Sequence, residues 1–160
     1  MVRPIATHNR AIQDYCSYRG LLVLSGVAAN APASEHVVRS EDGRAALWLG
    51  AYDDLWQIGK ARGQGGPWKD SPVRADVPSD PYLFTGFDRK TLRLRQQSGG
   101  AVRVRVEVDL TGTGQWRPYK TFDVAPGKTV EHRFPEGFAA YWVRAVASRD
   151  CTASAILIYE

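Results

Sequence analysis

Between Trp48 and Trp68 the chain holds three of its five tryptophans, the pair Asp53-Asp54 and five glycines. An indole face can stack on the C–H face of a sugar, as it does on cations and other rings. Lys60 and Arg62 would attract an anionic group. The glycines would let a ligand approach the backbone. Trp56, Lys60, Arg62 and Trp68 therefore form a candidate ligand-binding set around one glycine-rich loop. The competing reading packs Trp56 and Trp68 between neighbouring sheets. Trp48 lies in mid-strand and reads as core.

No catalytic set emerges from the same stretch. Adjacent residues on a strand point to opposite faces, so Asp53 and Asp54 are not a ready acid/base pair. Glycoside hydrolysis needs two carboxyls about 5 to 10 Å apart across a sugar. Asp80 and Glu41 are available as a second carboxyl, but no spacing selects either. One of the two aspartates is expected to serve a turn. His8, His36 and His132 are scattered, with no metal-ligand spacing. No metal and no cofactor are implied. GQGG lacks the ending of a phosphate loop. DLTGTGQW (109–116) lacks the later acidic ligands of a calcium loop and reads as a hairpin turn. No Ser-His-Asp or Cys-His signature occurs in local context.

These residues must be carried by strands. The chain has 160 residues, 15 glycines, 9 prolines, and a methionine only at position 1, which favours strands and turns over helices. The net charge of +4 would suit an anionic partner. Arg93, Arg95, Arg103 and Arg105 alternate along strands, so solvent-facing side chains are the simpler account, and no nucleic-acid partner is read. Cys16 and Cys151 stand far apart. One long-range bridge is open to them, with two buried free thiols the expected state. No stretch approaches the roughly 18 apolar residues of a membrane span, and no membrane partner is read. LLVLSGVAANA (21–31) is too short and too far in for an ordinary signal peptide, so no export signal is read.

The C-terminal half alternates clearly. In residues 102–109 (VRVRVEVD) the valines share one face and Arg103, Arg105 and Glu107 the other. Strands over 91–97, 102–109, 116–124, 129–134, 140–147 and 152–159 are divided by Gly/Pro turns at about ten-residue spacing. They predict a small antiparallel sandwich over 88–160. The inner face should include Val104, Val106, Phe122 and Val143. The N-terminal half, 1–87, gives strands over 20–27, 45–51 and 82–86, with 54–58 continuing one strand or starting another. Residues 59–81 read as a long Gly/Pro connection. Such a sheet alone would leave bare edges and one uncovered face.

The strings YCSYRGLLVLSG and HVVRSEDGRAALWLGAYDDLWQIGKARGQGGPWKDSPVRADVPSDPYLFTGFDRKTLRL resemble the end of large bacterial carbohydrate-active β-propeller proteins, some of them rhamnosidase-like or lyase-like. VRVRVEVDLTGTGQWRPYKTFDV and FPEGFAAYWVRAVASRDCTASAILIY look like the β-sandwich appended to them. The resemblance runs from about Tyr15 onward. It implies an all-β chain: a propeller-blade-like antiparallel sheet over 1–87, then a small antiparallel β-sandwich over 88–160. Closure of a propeller takes about four to eight blades, and this chain has material for one. The resemblance thus implies a non-catalytic or incomplete C-terminal part. Its partners would be acidic oligo- or polysaccharide, and missing blades or another subunit. One alternative is an active site completed by missing blades, with Arg19 and Asp54 contributing. There Arg19, with His8 and Asp14, would line a central channel and pair with a uronate carboxylate. The other alternative is a structural protein-interaction domain. The isolated chain is not expected to turn over a substrate. The resemblance also implies a secreted or periplasmic setting.

Overall fold

A computed structural model describes residues 3–8 and 10–160. The protein is all-β, with three four-stranded antiparallel sheets and one short 3-10 helix among the described residues. No helix among them is long and apolar enough to cross a membrane. The chain divides into two compact units, Ile5–Lys60 and a second comprising Ala61–Glu160 with the N-terminal tip.

The first unit holds β1 (Tyr15–Tyr18), β2 (Leu21–Val27), β3 (Val37–Arg39), β4 (Ala46–Gly50) and the 3-10 helix Tyr52–Gln57. The sheet order is β1-β2-β4-β3. β3 lies at the edge beyond β4, so the order is not that of a plain meander. One face carries Leu22, Leu24, Ala46 and Trp48, which with Val27 form a small buried core. Leu55 and Ile58 pack against it.

The other face follows from the register. Residues directly opposite each other in a sheet point the same way. Tyr18 faces Leu21 and Cys16 faces Val23. Val23 faces Leu49, and Val38 faces Leu47. All seven side chains on this face are therefore apolar or weakly polar. Five are exposed: Cys16, Tyr18 at 57%, Val38 at 52%, Leu47 at 41% and Leu21 at 39%. Both cysteines are free thiols, but Cys16 is exposed rather than buried. It stands on edge strand β1 and on this open face.

The second unit is a sandwich of two sheets. One has the order β10-β7-β12-β5, the other β6-β11-β8-β9. The strands are β5 (Gly63–Val73), β6 (Tyr82–Leu83), β7 (Lys90–Gln97), β8 (Val102–Asp109), β9 (Trp116–Val124), β10 (Thr129–Arg133), β11 (Trp142–Ala147) and β12 (Cys151–Tyr159). The expected inner residues are buried: Val104 at 2%, Val106 at 1%, Phe122 at 7% and Val143 at 3%. Fully burying such a side chain is worth about 1.5–3 kcal/mol. Arg93, Arg95, Arg103 and Arg105 are exposed, as alternation requires.

The division falls at Lys60/Ala61, not near residue 87. The reason is β5. The stretch read as part of a long Gly/Pro connection is an eleven-residue strand paired along β12. Gly66 lets its backbone come close to β12, since a Cβ there would lie 1.8 Å from the Ala155 carbonyl oxygen. The register shifts on either side of Ala155 mark this irregular approach. Glycine here is a strand device that resembles loop composition.

Candidate functional site

A polar cavity of about 450 Å3 lies within the first unit, lined by Arg10, Glu35, His36, Trp48, Asp54 and Gln57 among others. Four local features assemble it. His36 immediately precedes β3, and its backbone oxygen accepts the Leu49 N–H at 2.8 Å, which extends the β3–β4 ladder by one residue. Its ring Nδ1 is 3.0 Å from the Leu49 carbonyl oxygen. A carbonyl can only accept, so Nδ1 carries a proton and donates it. The ring leans on Trp48, with centroids 5.2 Å apart.

Asp54 is the third residue of the 3-10 helix. Its Oδ2 accepts the Ala51 N–H at 2.6 Å and lies 3.9 Å from His36 Nδ1. This is the turn-serving role expected for one of the paired aspartates. The same bond aims the carboxylate at the cavity. Glu35 Oε1 sits 3.6 Å from His36 Nε2.

Arg10 comes from the segment before β1. Asp14 and Ser25 tie that segment to β2, through Asp14 N–H to Ser25 Oγ at 2.8 Å and Ser25 N–H to the Asp14 carbonyl oxygen at 3.0 Å. Gly26, at φ 77°, leaves room for it; a Cβ there would lie 1.8 Å from the Ala11 carbonyl oxygen. The Arg10 backbone N–H donates to His8 Nδ1 at 3.1 Å. Its Nη1 is buried and has no hydrogen-bond partner among the described residues. Arg10 also lines a second cavity, of about 730 Å3, beside the loop from Ala28 to Ser34. Arg39 fixes that loop, with Nε donating to the Ala29 carbonyl oxygen at 3.1 Å and Nη2 donating to that of Ala31.

The cavity thus offers a guanidinium donor, an imidazole, carboxylate and amide acceptors, and an aromatic wall. That is equipment for holding a polar ligand with both donors and acceptors.

Of the six ligand-binding candidates, Asp54 lines this cavity. Trp56 stands on the same 3-10 helix and is 52% exposed, and Lys60 is exposed at the end of the first unit. Arg19 occupies the tight turn between β1 and β2 with φ 49°, its Cζ 5.3 Å from the Tyr18 ring centroid. Arg62 is exposed just before β5. Trp68 is not a ligand-facing residue. It is 7% exposed, sits opposite Ala155 on β5, and belongs to the sandwich core. Packing accounts for this indole, and the set around one loop dissolves because the loop is a strand.

Sequence reasoning missed Arg10, Glu35, His36 and Gln57 as neighbours. They come from three separate segments. The one available signal was pairing of 37–39 with 46–48, which places His36 beside Leu49.

The sandwich carries its own charged cluster. Glu107 Oε1 accepts from Arg105 Nε at 2.7 Å, and its Oε2 accepts from Arg144 at 2.7 Å. The Arg144 guanidinium lies 4.3 Å over the Trp116 ring. Burial pushes the Glu107 carboxyl up, but the Arg144 and Arg105 bonds outweigh it and hold it below the usual range. At the β8–β9 turn, Asp109 accepts the N–H groups of Gly114, Thr111 and Gly112. This is the hairpin-turn role expected for that segment. Among the described residues no group of three or more His, Cys, Asp or Glu could hold a metal ion.

Fold and site together define an all-β protein of two antiparallel units with a polar cavity in the first. Comparison of the sequence with protein-family models and with curated proteins found no match.

Proposed function

We propose that this chain is a non-catalytic C-terminal part of a larger carbohydrate-active β-propeller protein, in which its N-terminal sheet stacks on a neighbouring β-sheet and its sandwich supports the assembly. One observation carries the stacking: the N-terminal sheet is apolar on both faces. Leu22, Leu24 and Trp48 are buried on one side, while Tyr18, Leu21, Val38 and Leu47 stand exposed on the other. A sheet with one solvated face alternates apolar with polar, and a sheet covered on both sides does not. The sequence resemblance makes the occupant another β-sheet with an apolar face. The propeller and its carbohydrate setting rest on the sequence resemblance. The strand order, which departs from a plain meander, adds nothing to it.

Cys16 on the open face reports on the stacking. In the isolated chain its thiol should react readily with a thiol reagent. Expressed with any upstream β-sheet repeats its reading frame encodes, the protein should protect Cys16. A reading frame without such repeats, or equal Cys16 reactivity in the longer protein, would show the proposal to be wrong.

A further inference from the structure

We propose that the two cavities of the N-terminal unit form one groove that binds the carboxylate-bearing end of an acidic oligosaccharide, with Arg10 holding the carboxylate. The sugar class and its acidic character rest on the function proposed above; the place of Arg10 in both cavity walls stands on the geometry.

The cavities share Arg10 and Ser34 in their walls. Arg10 Nη1 is buried there without a partner among the described residues. Native proteins satisfy nearly all buried polar atoms, and an unpaired charged donor is among the costlier exceptions. Arg10 itself is part-exposed in both walls, so a ligand carboxylate in the groove would accept from the accessible side of this guanidinium in a charge-assisted bond.

A compact anion fits poorly. Asp54 and Glu35 line the same cavity and would repel it. A ligand with hydroxyls beside its carboxylate turns both residues into acceptors, with Gln57 beside them. Asp54 Oδ2 already serves Ala51, which leaves Oδ1 for a hydroxyl. A uronic acid has this combination. The His36 and Trp48 rings form the apolar wall a sugar's C–H face requires.

The second cavity, walled by Ala28, Ala31, Pro32 and Ala33 among others, has room for a neighbouring sugar ring. Its loop is already held by Arg39, so little ordering opposes binding. Arg39 is a positioning residue. The groove does not include Trp56, Lys60, Arg62 or Trp68.

The test is an amide NMR titration of the whole chain with a short oligogalacturonate, an uncharged oligogalactose of the same length, and succinate. The oligogalacturonate should shift residues near 10, 28–36 and 54–57, and the uncharged oligomer should bind much more weakly. Arg10→Ala should weaken binding about ten- to a hundredfold, the range for one lost charged hydrogen bond. Arg10→Lys should fall between the two. Salt should weaken the wild-type complex. Spectra of residues outside the groove report whether each variant is folded. If Arg10→Ala is not folded, Gln57→Ala, at an exposed position, should still weaken binding severalfold. The proposal falls if the uncharged oligomer binds as tightly, if the shifts map elsewhere, or if no sugar shifts the spectrum. It falls too if the folded Arg10→Ala chain, or the Gln57→Ala chain that replaces it, binds as the wild type does. Equal binding of succinate would remove the sugar class. None of these outcomes depends on Cys16 protection, so the stacking proposal stands or falls separately.

Discussion

The two units spend their apolar residues differently. Among the described residues, the C-terminal unit gathers twenty buried side chains into one cluster between its two sheets, while the N-terminal unit gathers five on one side of a single sheet. The sandwich covers each sheet with the other. The N-terminal sheet covers one face with Leu55 of the 3-10 helix and Ile58 just after it, and leaves Tyr18, Leu21, Val38 and Leu47 exposed on the other. The N-terminal unit is the richer of the two in apolar residues, yet its core is the open one and that of the sandwich the closed one. The open unit is also the one that holds the cavity lined by Arg10, His36 and Asp54.

The comparison breaks most sharply at Val106. It is 1% exposed in the sandwich core. Val106→Asp places a carboxylate where no partner waits, and should cost several kcal/mol, enough to unfold the second unit in denaturant titration. Near-native unfolding of this variant would mean that the sandwich core is not closed. Trp68→Ala comes next. Removing a buried indole costs about 3–5 kcal/mol. The loss should appear in the sandwich transition, with the groove of the first unit still titratable. A Trp68→Ala chain of unchanged stability would return that residue to the surface.

The same contrast governs what the sequence made legible. Val102 to Val108 alternate without interruption, and a period of two with turns at regular intervals allows few arrangements other than a half-buried antiparallel strand. Hence Val104, Val106, Phe122 and Val143 were identifiable as core. β5 was not, because GQGGP has loop composition, and its strand geometry arises from pairing with β12, some ninety residues later in the sequence. β1 and β3 were hidden for another reason. They are edge strands of three or four residues, too short to show a period. The candidate site was legible only at Asp54. Its partners Arg10 and His36 reach it through β3–β4 pairing and the Asp14–Ser25 tie, which leave no mark in local spacing.

Acid should separate the units next. His132 stands on edge strand β10, with Nε2 3.0 Å from the Tyr119 hydroxyl of β9 in the opposite sheet. Phe122 and Phe134 flank the ring at 5.1 Å. Burial lowers its pKa below the ordinary value, and the Lys120 charge lowers it further. The fold therefore holds His132 neutral. Its contribution is present above the unfolded pKa of about 6.5 and is lost as pH falls below it. Glu107 and Asp109, both held below their ordinary values, contribute stability above about pH 4 that is lost on further acidification. The sandwich melting temperature should drop between pH 7.5 and 5.5 and drop again below 4. His132→Phe should remove the first step and leave the second. A first step that survives the substitution would place its origin elsewhere.

The smallest effect is the most discriminating one for the open face. Leu47 is 41% exposed and pairs with Val38, itself 52% exposed. In a closed core a lysine at such a position would be ruinous. On the open face its ammonium stays in water and its stem lies along the neighbouring side chains. Leu47→Lys should therefore change the stability of the isolated chain by no more than about 0.5 kcal/mol, the usual range for a surface substitution. It should also reduce any concentration-dependent association seen by light scattering, because exposed apolar sheet faces pair with one another. In the longer protein the same substitution should cost several kcal/mol, since it would bury a charge against the neighbouring sheet. That reversal, neutral alone and costly in the assembly, is what an unfinished face predicts. A Leu47→Lys chain already destabilised in isolation would mean that the first unit is closed after all, and that its difference from the sandwich is one of size alone.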